Sequence, residues 1–137
     1  MRYLLDTNIC IYLSKRNHPG LLAKLAQIPV DEARISVVTY GELVYGAFKS
    51  ERRKENLHTI GEFIEAFQPL PLPVEAGQAY GRIKENLRAK GQIIGENDLW
   101  IASHALAEDY ILVTNNMREF KRIKGLKLEN WALTSGQ

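Results

Sequence analysis

The sequence predicts an α/β fold in which a mainly parallel sheet of roughly five short strands carries helices on its faces. Two observations lead there. Short apolar runs containing β-branched residues, as at Arg34–Val37 and Ile111–Val113, alternate with longer stretches whose apolar residues recur at helical spacing. That alternation is the mark of crossover units around a parallel sheet. The chain also has 137 residues with no repeat, low-complexity tract or interdomain linker, so residues 1–137 read as one domain with a polar tail from about residue 132.

Taken in order, Arg2 to Leu5 is an apolar run that stops at Asp6-Thr7-Asn8, and Ile9 to Leu13 continues with helical content, giving strand, polar turn and helix. His18-Pro19-Gly20 breaks the chain. Leu21, Leu22, Leu25 and Ile28 then define a second short helix before Pro29. Arg34 to Val37 is the next strand, and Thr39 to Phe48 the helix it feeds. Leu57, Ile60, Ile64 and Phe67 fall on one face of an amphipathic helix over Arg52–Phe67. The three prolines of Pro69–Pro73 lack amide donors and permit only a minimal or edge strand. Val74 to Lys90 is helical and ends at Gly91; Glu96-Asn97-Asp98 opens a helix through Asp109. Ile111 to Val113 is the clearest late strand, Thr114-Asn115-Asn116 is a turn, and Lys127 to Glu129 is a final edge strand.

Composition narrows the class. Apolar residues make up 45 % and charged residues 25 %, close to the globular average, which argues against disorder, collagen and long coiled coil. With 18 Lys plus Arg against 16 Asp plus Glu the net charge is +2, which excludes a strongly basic coat protein. A chain of this size buries roughly 70 % of its unfolded surface. It needs no metal or disulfide staple, so a bound metal would serve function. The single cysteine, Cys10, forms neither an intrachain disulfide nor a zinc–thiolate cluster and fits a reducing cytoplasm. No run approaches the roughly 20 apolar residues of a membrane span, and cytoplasmic localisation is expected.

Ligands in open parallel sheets gather at the carboxyl ends of the strands. Three acids line up with that rule: Asp6 after the first strand, Glu42 early in the helix after the second, and Asp98 at the start of the helix preceding the late strand. Each has an ordinary explanation. Asp6 suits a helix cap, Thr39 with Glu42 fits a capping box, and Asp98 favours a helix N-terminus. The set differs from its members, because two charges about 4 Å apart repel by roughly 4 kcal/mol at an effective dielectric of 20. A divalent cation removes that cost. Carboxylate oxygens suit Mg²⁺ or Mn²⁺, whereas zinc would ask for His and Cys, and His18, His58 and His104 have no paired spacing. His104 reads as a packing or surface residue. Cys10 lacks an evident activating His and the serines show no nucleophile-elbow pattern, so covalent catalysis has no support.

Four segments, LLDTNICIYL, ISVVTYGELVYGA, IIGENDLWIASHA and LVTNNMREFKRIKGL, occur in an order that resembles the PIN-domain ribonucleases, and within them the VapC toxins of bacterial toxin–antitoxin pairs. The resemblance covers almost the whole chain. It implies a three-layer α/β/α fold and aligns Asp6, Glu42 and Asp98 with the family's metal-binding acids. Many members carry a fourth acid in the turn after the late strand, where this chain departs with Asn116. Asn116 offers a neutral oxygen, and Glu119 is the other candidate for completing the site, its plain alternative being a surface acid beside Arg118 and Lys121. Thr114 lies where the family often has a hydroxyl near the metal, although a turn residue satisfying local backbone is as ordinary.

What the resemblance implies is hydrolysis of an RNA phosphodiester with Mg²⁺ or Mn²⁺ as cofactor, directed at structured RNA and, from these motifs, the initiator transfer RNA, with translation inhibited as the outcome. It further implies a homodimer, a small VapB-type antitoxin that directs a basic side chain toward the acids, and a possible larger toxin–antitoxin assembly, with no membrane partner. RNA approaching an acidic site requires flanking cations. Candidates are Lys49, Arg52, Arg53 and Lys54; Arg82, Lys84, Arg88 and Lys90; and Arg118, Lys121, Arg122, Lys124 and Lys127. Of these, Arg118, Lys121 and Arg122, with Thr114, are the substrate-binding candidates nearest the site. Trp100 and Trp131 suit either base stacking or packing. The faces bearing Leu22, Leu25, Val44 and Phe48 suit either an interface or the core. Two other classes compete. An aspartate-dependent phosphotransferase needs an Asp-x-Asp pair that Asp6-Thr7-Asn8 lacks, and a non-catalytic RNA- or protein-binding module would have lost its metal through Asn116.

Overall fold

In the computed structural model, which describes residues 1–132, five parallel strands are ordered β3-β2-β1-β4-β5. They are β1 (Tyr3–Leu5), β2 (Ala33–Ser36), β3 (Pro69–Leu70), β4 (Ile111–Val113) and β5 (Leu128–Glu129). Leu4 pairs with Arg34 on one side and Leu112 on the other, so β1 is central and has no exposed edge. The helices are α1 (Thr7–Lys15), α2 (Pro19–Ala26), α3 (Val37–Phe48), α4 (Arg53–Ala66), α5 (Glu75–Ala89), α6 (Glu96–Ala107) and α7 (Met117–Phe120), with one 3-10 turn at Val30–Glu32.

Strand periodicity sorts the core into two halves. Leu4 and Leu112 point to the side covered by α5 and α6, where they meet Ile83, Leu87, Leu99, Ile101 and Phe120. Tyr3, Leu5, Ile35, Ile111 and Val113 point the other way, onto Ile9, Cys10 and Leu13 of α1, Leu21 of α2 and Phe63 of α4. The result is the expected three-layer α/β/α fold. The near-continuous apolar character of the strands follows, since a parallel sheet covered on both faces has no solvent side to mark with polar residues.

Local chemistry sets the helix ends. Pro19 occupies the first turn of α2, where a missing amide costs nothing. Arg16, at φ 53, closes α1, and Gly91, at φ 64, follows α5 in the left-handed region that glycine adopts without strain. Two expectations need correction. The second strand stops at Ser36 rather than Val37, because the Ser36 hydroxyl accepts the Val38 N–H at 3.1 Å and caps α3. The Thr39/Glu42 capping box therefore does not form; Thr39 lies inside α3, fully buried. The turn after β4 also continues into the unanticipated α7, whose anchor is the buried Phe120. The tail expected from about residue 132 lies, beyond that residue, outside the described residues.

Trp131 is packing rather than a stacking platform, 4 % exposed and edge-on to Tyr3 at 5.0 Å. Leu22 and Leu25 pack partly against the α1-side core, whereas Phe48 is half-exposed. Among the described residues no helix is long and apolar enough to cross a membrane. Because Leu4 is completely buried on the central strand, Leu4→Ala should lower stability by about 3 kcal/mol, within the usual 2–5 for a core truncation. Urea unfolding checks this, and a loss under about 1 kcal/mol would mean that the site collapses around the deletion.

Candidate functional site

The carboxyl end of β1 places Asp6. Its N–H donates to the Val113 carbonyl at 2.9 Å, continuing the β1–β4 ladder by one residue and fixing the side chain between the strands. The carboxylate is 3 % exposed. Its Oδ1 accepts the Thr7 N–H at 2.8 Å, so the capping role is real, and its Oδ2 accepts the Thr114 hydroxyl at 2.7 Å. Thr114, also buried, accepts the Asn116 N–H at 2.9 Å. Asn116 thus enters the network through its main chain.

Glu42 reaches the same place from the second turn of α3. Its Oε1 accepts the Thr7 hydroxyl at 2.6 Å and its Oε2 the Asn97 amide at 3.3 Å. Thr7 and Asn97 were not singled out in the sequence, although each directly adjoins a candidate acid, which is the signal that would have found them. Asp98 sits in the first turn of α6, behind the cap residue Gly95. One further tie holds α6 to α3: His104, fully buried, places Nδ1 2.9 Å from the Ser36 hydroxyl. His104 is therefore a core residue that fixes the helix carrying Asp98 against the cap of the helix carrying Glu42.

Burial and mutual charge raise two of these acids. Burial pushes the Asp98 carboxyl up to about 6, with the charges of Asp6, Glu42 and Glu119 adding to the rise. Burial likewise raises Asp6; the Thr114 and Thr7 hydrogen bonds oppose it and Glu42 reinforces it. Glu119, on α7, contributes the last and smallest part of the Asp98 rise. Among the described residues none of these four acids has a Lys, Arg or His ion-pair partner. Nor do any three His, Cys, Asp or Glu side chains, among the described residues, already converge into a ligand cage. Thr7 and Asn97 hold Glu42 at hydrogen-bonding distance from its neighbours instead. The donors are all oxygen and their charges are uncompensated, which fits a hard divalent cation and does not fit zinc.

Beside the acids runs a cavity of about 430 Å³ between α1, α3 and α4, with Cys10, Leu43, Ala47, Ile60 and Phe63 in its walls and Glu42 at its border. Cys10 itself is buried, and burial raises its thiol well above the usual range, which leaves no nucleophile there. The predicted cations divide. Arg118 and Lys121 are exposed on and just after α7, while Arg122 points Nη1 at the Gln92 and Ile93 carbonyls at 3.4 Å. Lys127 pairs with Asp109 at 3.0 Å, Arg88 with Glu85 and Lys84 with Glu96. Trp100 stacks on Tyr80, centroids 3.9 Å apart, rather than standing free.

The three-layer fold sets Asp6 just past the end of β1, and Glu42 and Asp98 in the first two turns of α3 and α6, at the strand carboxyl ends where open parallel sheets hold ligands. The PIN domain model matches residues 3–126. Ribonuclease VapC2 of Haemophilus influenzae is 41 % identical over 131 residues, covering 96 % of this chain and 98 % of that protein. The tRNA(fMet)-specific endonuclease VapC of Shigella flexneri is 38 % identical over 132 residues, covering 96 % and 99 %. In the crystal structure of VapBC2 from Rickettsia felis bound to a DNA fragment from their promoter, one chain superposes with a TM-score of 0.89 at 39 % identity, covering 96 % of this chain and 99 % of that one. The chain belongs to the PIN domain family and, within it, to the VapC ribonucleases.

The pH dependence of stability tests the acid cluster. Asp98 rises from 3.8 unfolded to about 6 folded, so the folded state binds its proton more tightly and this contribution to stability declines as pH increases from about 4 to about 6. His104, whose value burial lowers, acts with the opposite slope, but equally in wild type and in Asp98→Asn. Metal-free Asp98→Asn should therefore match wild type near pH 4 and melt higher at pH 7. A gap that is constant across this range would show that Asp98 does not feel the other acids.

Proposed function

We propose that this chain is a metal-dependent endoribonuclease, the toxin of a toxin–antitoxin pair, which cleaves structured RNA and thereby inhibits translation. The observation that carries the reading is the uncompensated acidic charge at the carboxyl end of the sheet, where Asp98 is raised first by burial and then by the charges of Asp6, Glu42 and Glu119. Asp6, Glu42 and Asp98 would hold Mg²⁺ or Mn²⁺, with Glu119 and Asn116 as the outer candidates for completing the site. Such an ion supplies Lewis-acid charge that activates water and stabilises the phosphate as its bond to the departing ribose oxygen breaks.

The protein's own residues prepare that chemistry. Thr114 and the Thr7 N–H hold both Asp6 oxygens in fixed directions, so the carboxylate needs little reorganisation when charge arrives. The Thr7 hydroxyl and the Asn97 amide do the same for Glu42. A carboxylate raised toward neutrality, as Asp98 is, also suits a group that orients the attacking water.

Substrate class and partners come from relatives. The Shigella flexneri protein is named as specific for tRNA(fMet), which supports the initiator transfer RNA as substrate here. The Rickettsia felis structure is of a VapBC complex, which supports a VapB-type antitoxin as partner. The apolar cavity bordered by Glu42 suits an antitoxin segment that lays apolar side chains between α1, α3 and α4 and directs a basic one to the acids. A homodimer and a larger toxin–antitoxin assembly complete the proposal.

Incubation of the purified protein with total cellular RNA, with and without chelator, followed by mapping of new 5′ ends, tests substrate and metal together. New ends concentrated in transfer RNA and abolished by chelator are expected. No cleavage with either Mg²⁺ or Mn²⁺ would favour a non-catalytic module instead. Asp98→Asn should lower cleavage by about 100-fold or more, since even the outer-shell partners of a bound metal are worth about 10–100-fold. It should remain folded, because Asn is acceptable at a helix start. Asn116→Asp should strengthen the rise in melting temperature produced by Mn²⁺; an unchanged titration would place that turn away from the ion.

A further inference from the structure

Helix α5 distributes its cations unequally. Lys84 and Arg88 are neutralised by Glu96 and Glu85. Arg82 and Lys90 form no ion pair among the described residues, and with Asn86 they make an i, i+4, i+8 stripe along one face. That stripe borders a cavity of about 230 Å³, closed on its far side by Ile123 and Lys124, with Ile83 and Leu87 in its floor. Among the described residues Lys124 likewise forms no ion pair and no acid lines the cavity. Its position is held: Arg122 ties the segment after α7 to the Gln92 and Ile93 carbonyls of the α5–α6 loop, which keeps Lys124 opposite α5.

Lys124 follows closely on α7, which carries Glu119, and the five steps of chain from Glu119 to Lys124 span at most about 17 Å. We infer that Arg82, Lys90 and Lys124, with Asn86, form a cradle for the phosphodiester backbone of RNA, a second contact beside the acidic centre that anchors the strand whose cleavage is proposed above. This rests on the nuclease reading for its choice of ligand. A chain that brings acids to the scissile phosphate must hold the polyanion by some other surface. Three free cations over an apolar floor match phosphate and ribose, and offer little to a base edge.

The test measures binding and cleavage separately. Fluorescein-labelled total transfer RNA is titrated by anisotropy at several salt concentrations, with wild type, R82Q/K90Q/K124Q and the equal-charge control K15Q/R16Q/K24Q, and each protein is assayed for cleavage with Mn²⁺. Each neutralised phosphate contributes about 0.7–0.9 to the slope of log affinity against log salt. The cradle variant should lose about 2 in slope, the control far less, and K124Q alone somewhat under 1. Cleavage by the cradle variant should show raised KM with kcat near wild type. An unchanged slope, or equal losses in both triple variants, overturns the cradle while leaving nuclease activity standing. Binding with the predicted slope change but no cleavage by wild type overturns the nuclease reading and keeps the cradle. If poly-glutamate binding falls in the cradle variant and RNA binding does not, the surface serves an acidic protein and the inference fails.

Discussion

Confinement of like charge at one edge of the sheet is the constraint on which the rest of the molecule depends. A buried acid such as Asp6, 3 % exposed and in the field of Glu42, is costly in a protein without compensation. The fold tolerates Asp6 only because its two oxygens accept hydrogen bonds from Thr7 and Thr114, and because β4 holds its main chain. Glu42 is managed in the same way by Thr7 and Asn97. Neutral donors fix the acids without cancelling them. An Arg or Lys in any of these places would cancel the negative charge that neutral donors leave intact.

This division between neutral holding and charged function recurs in the layers behind the site. Ser36 caps α3 and meets His104 from α6, so the helices that deliver Glu42 and Asp98 are tied by a buried polar contact as well as by apolar packing. His104 Nε2 has no hydrogen-bond partner; Glu108 Oε1 lies 3.6 Å away. A buried, uncharged imidazole can maintain that link without adding a cation to the acidic pocket, and burial lowers its pKa accordingly.

The surface is sorted by similar logic. Ion pairs such as Lys127–Asp109 and Arg88–Glu85 neutralise some of the basic residues, and exposed pairs of this kind contribute little stability. Their effect is to leave uncompensated positive charge in few places, so a chain with a net charge of only +2 can still present a localised basic surface. Local arrangement, rather than total charge, makes an acidic centre and a polyanion compatible.

Much of this was legible in the residues. Hydrophobic patterning marks β1, β2, β4 and the six longer helices, because burial on one or both faces writes itself into spacing, whereas β3 and β5 read only as minimal or edge strands. Asp6, Glu42 and Asp98 were marked by their places after strands and at helix starts. Short-range hydrogen-bond competition was less legible: Ser36, not Thr39, captured the α3 start because its hydroxyl met the free N–H of Val38 first, and α7 formed because Phe120 found a core to enter. Thr114 and Glu119 are candidates in the sequence, and Thr7 and Asn97 adjoin candidate acids, but which oxygen each hydroxyl or amide holds, and that Lys84 finds an acid where Lys90 does not among the described residues, is not written there. Those outcomes depend on which side chains, 12 to 108 residues apart, share a few ångströms of space. Periodicity along the chain reports which face a residue buries; only the closed sheet decides what it meets there.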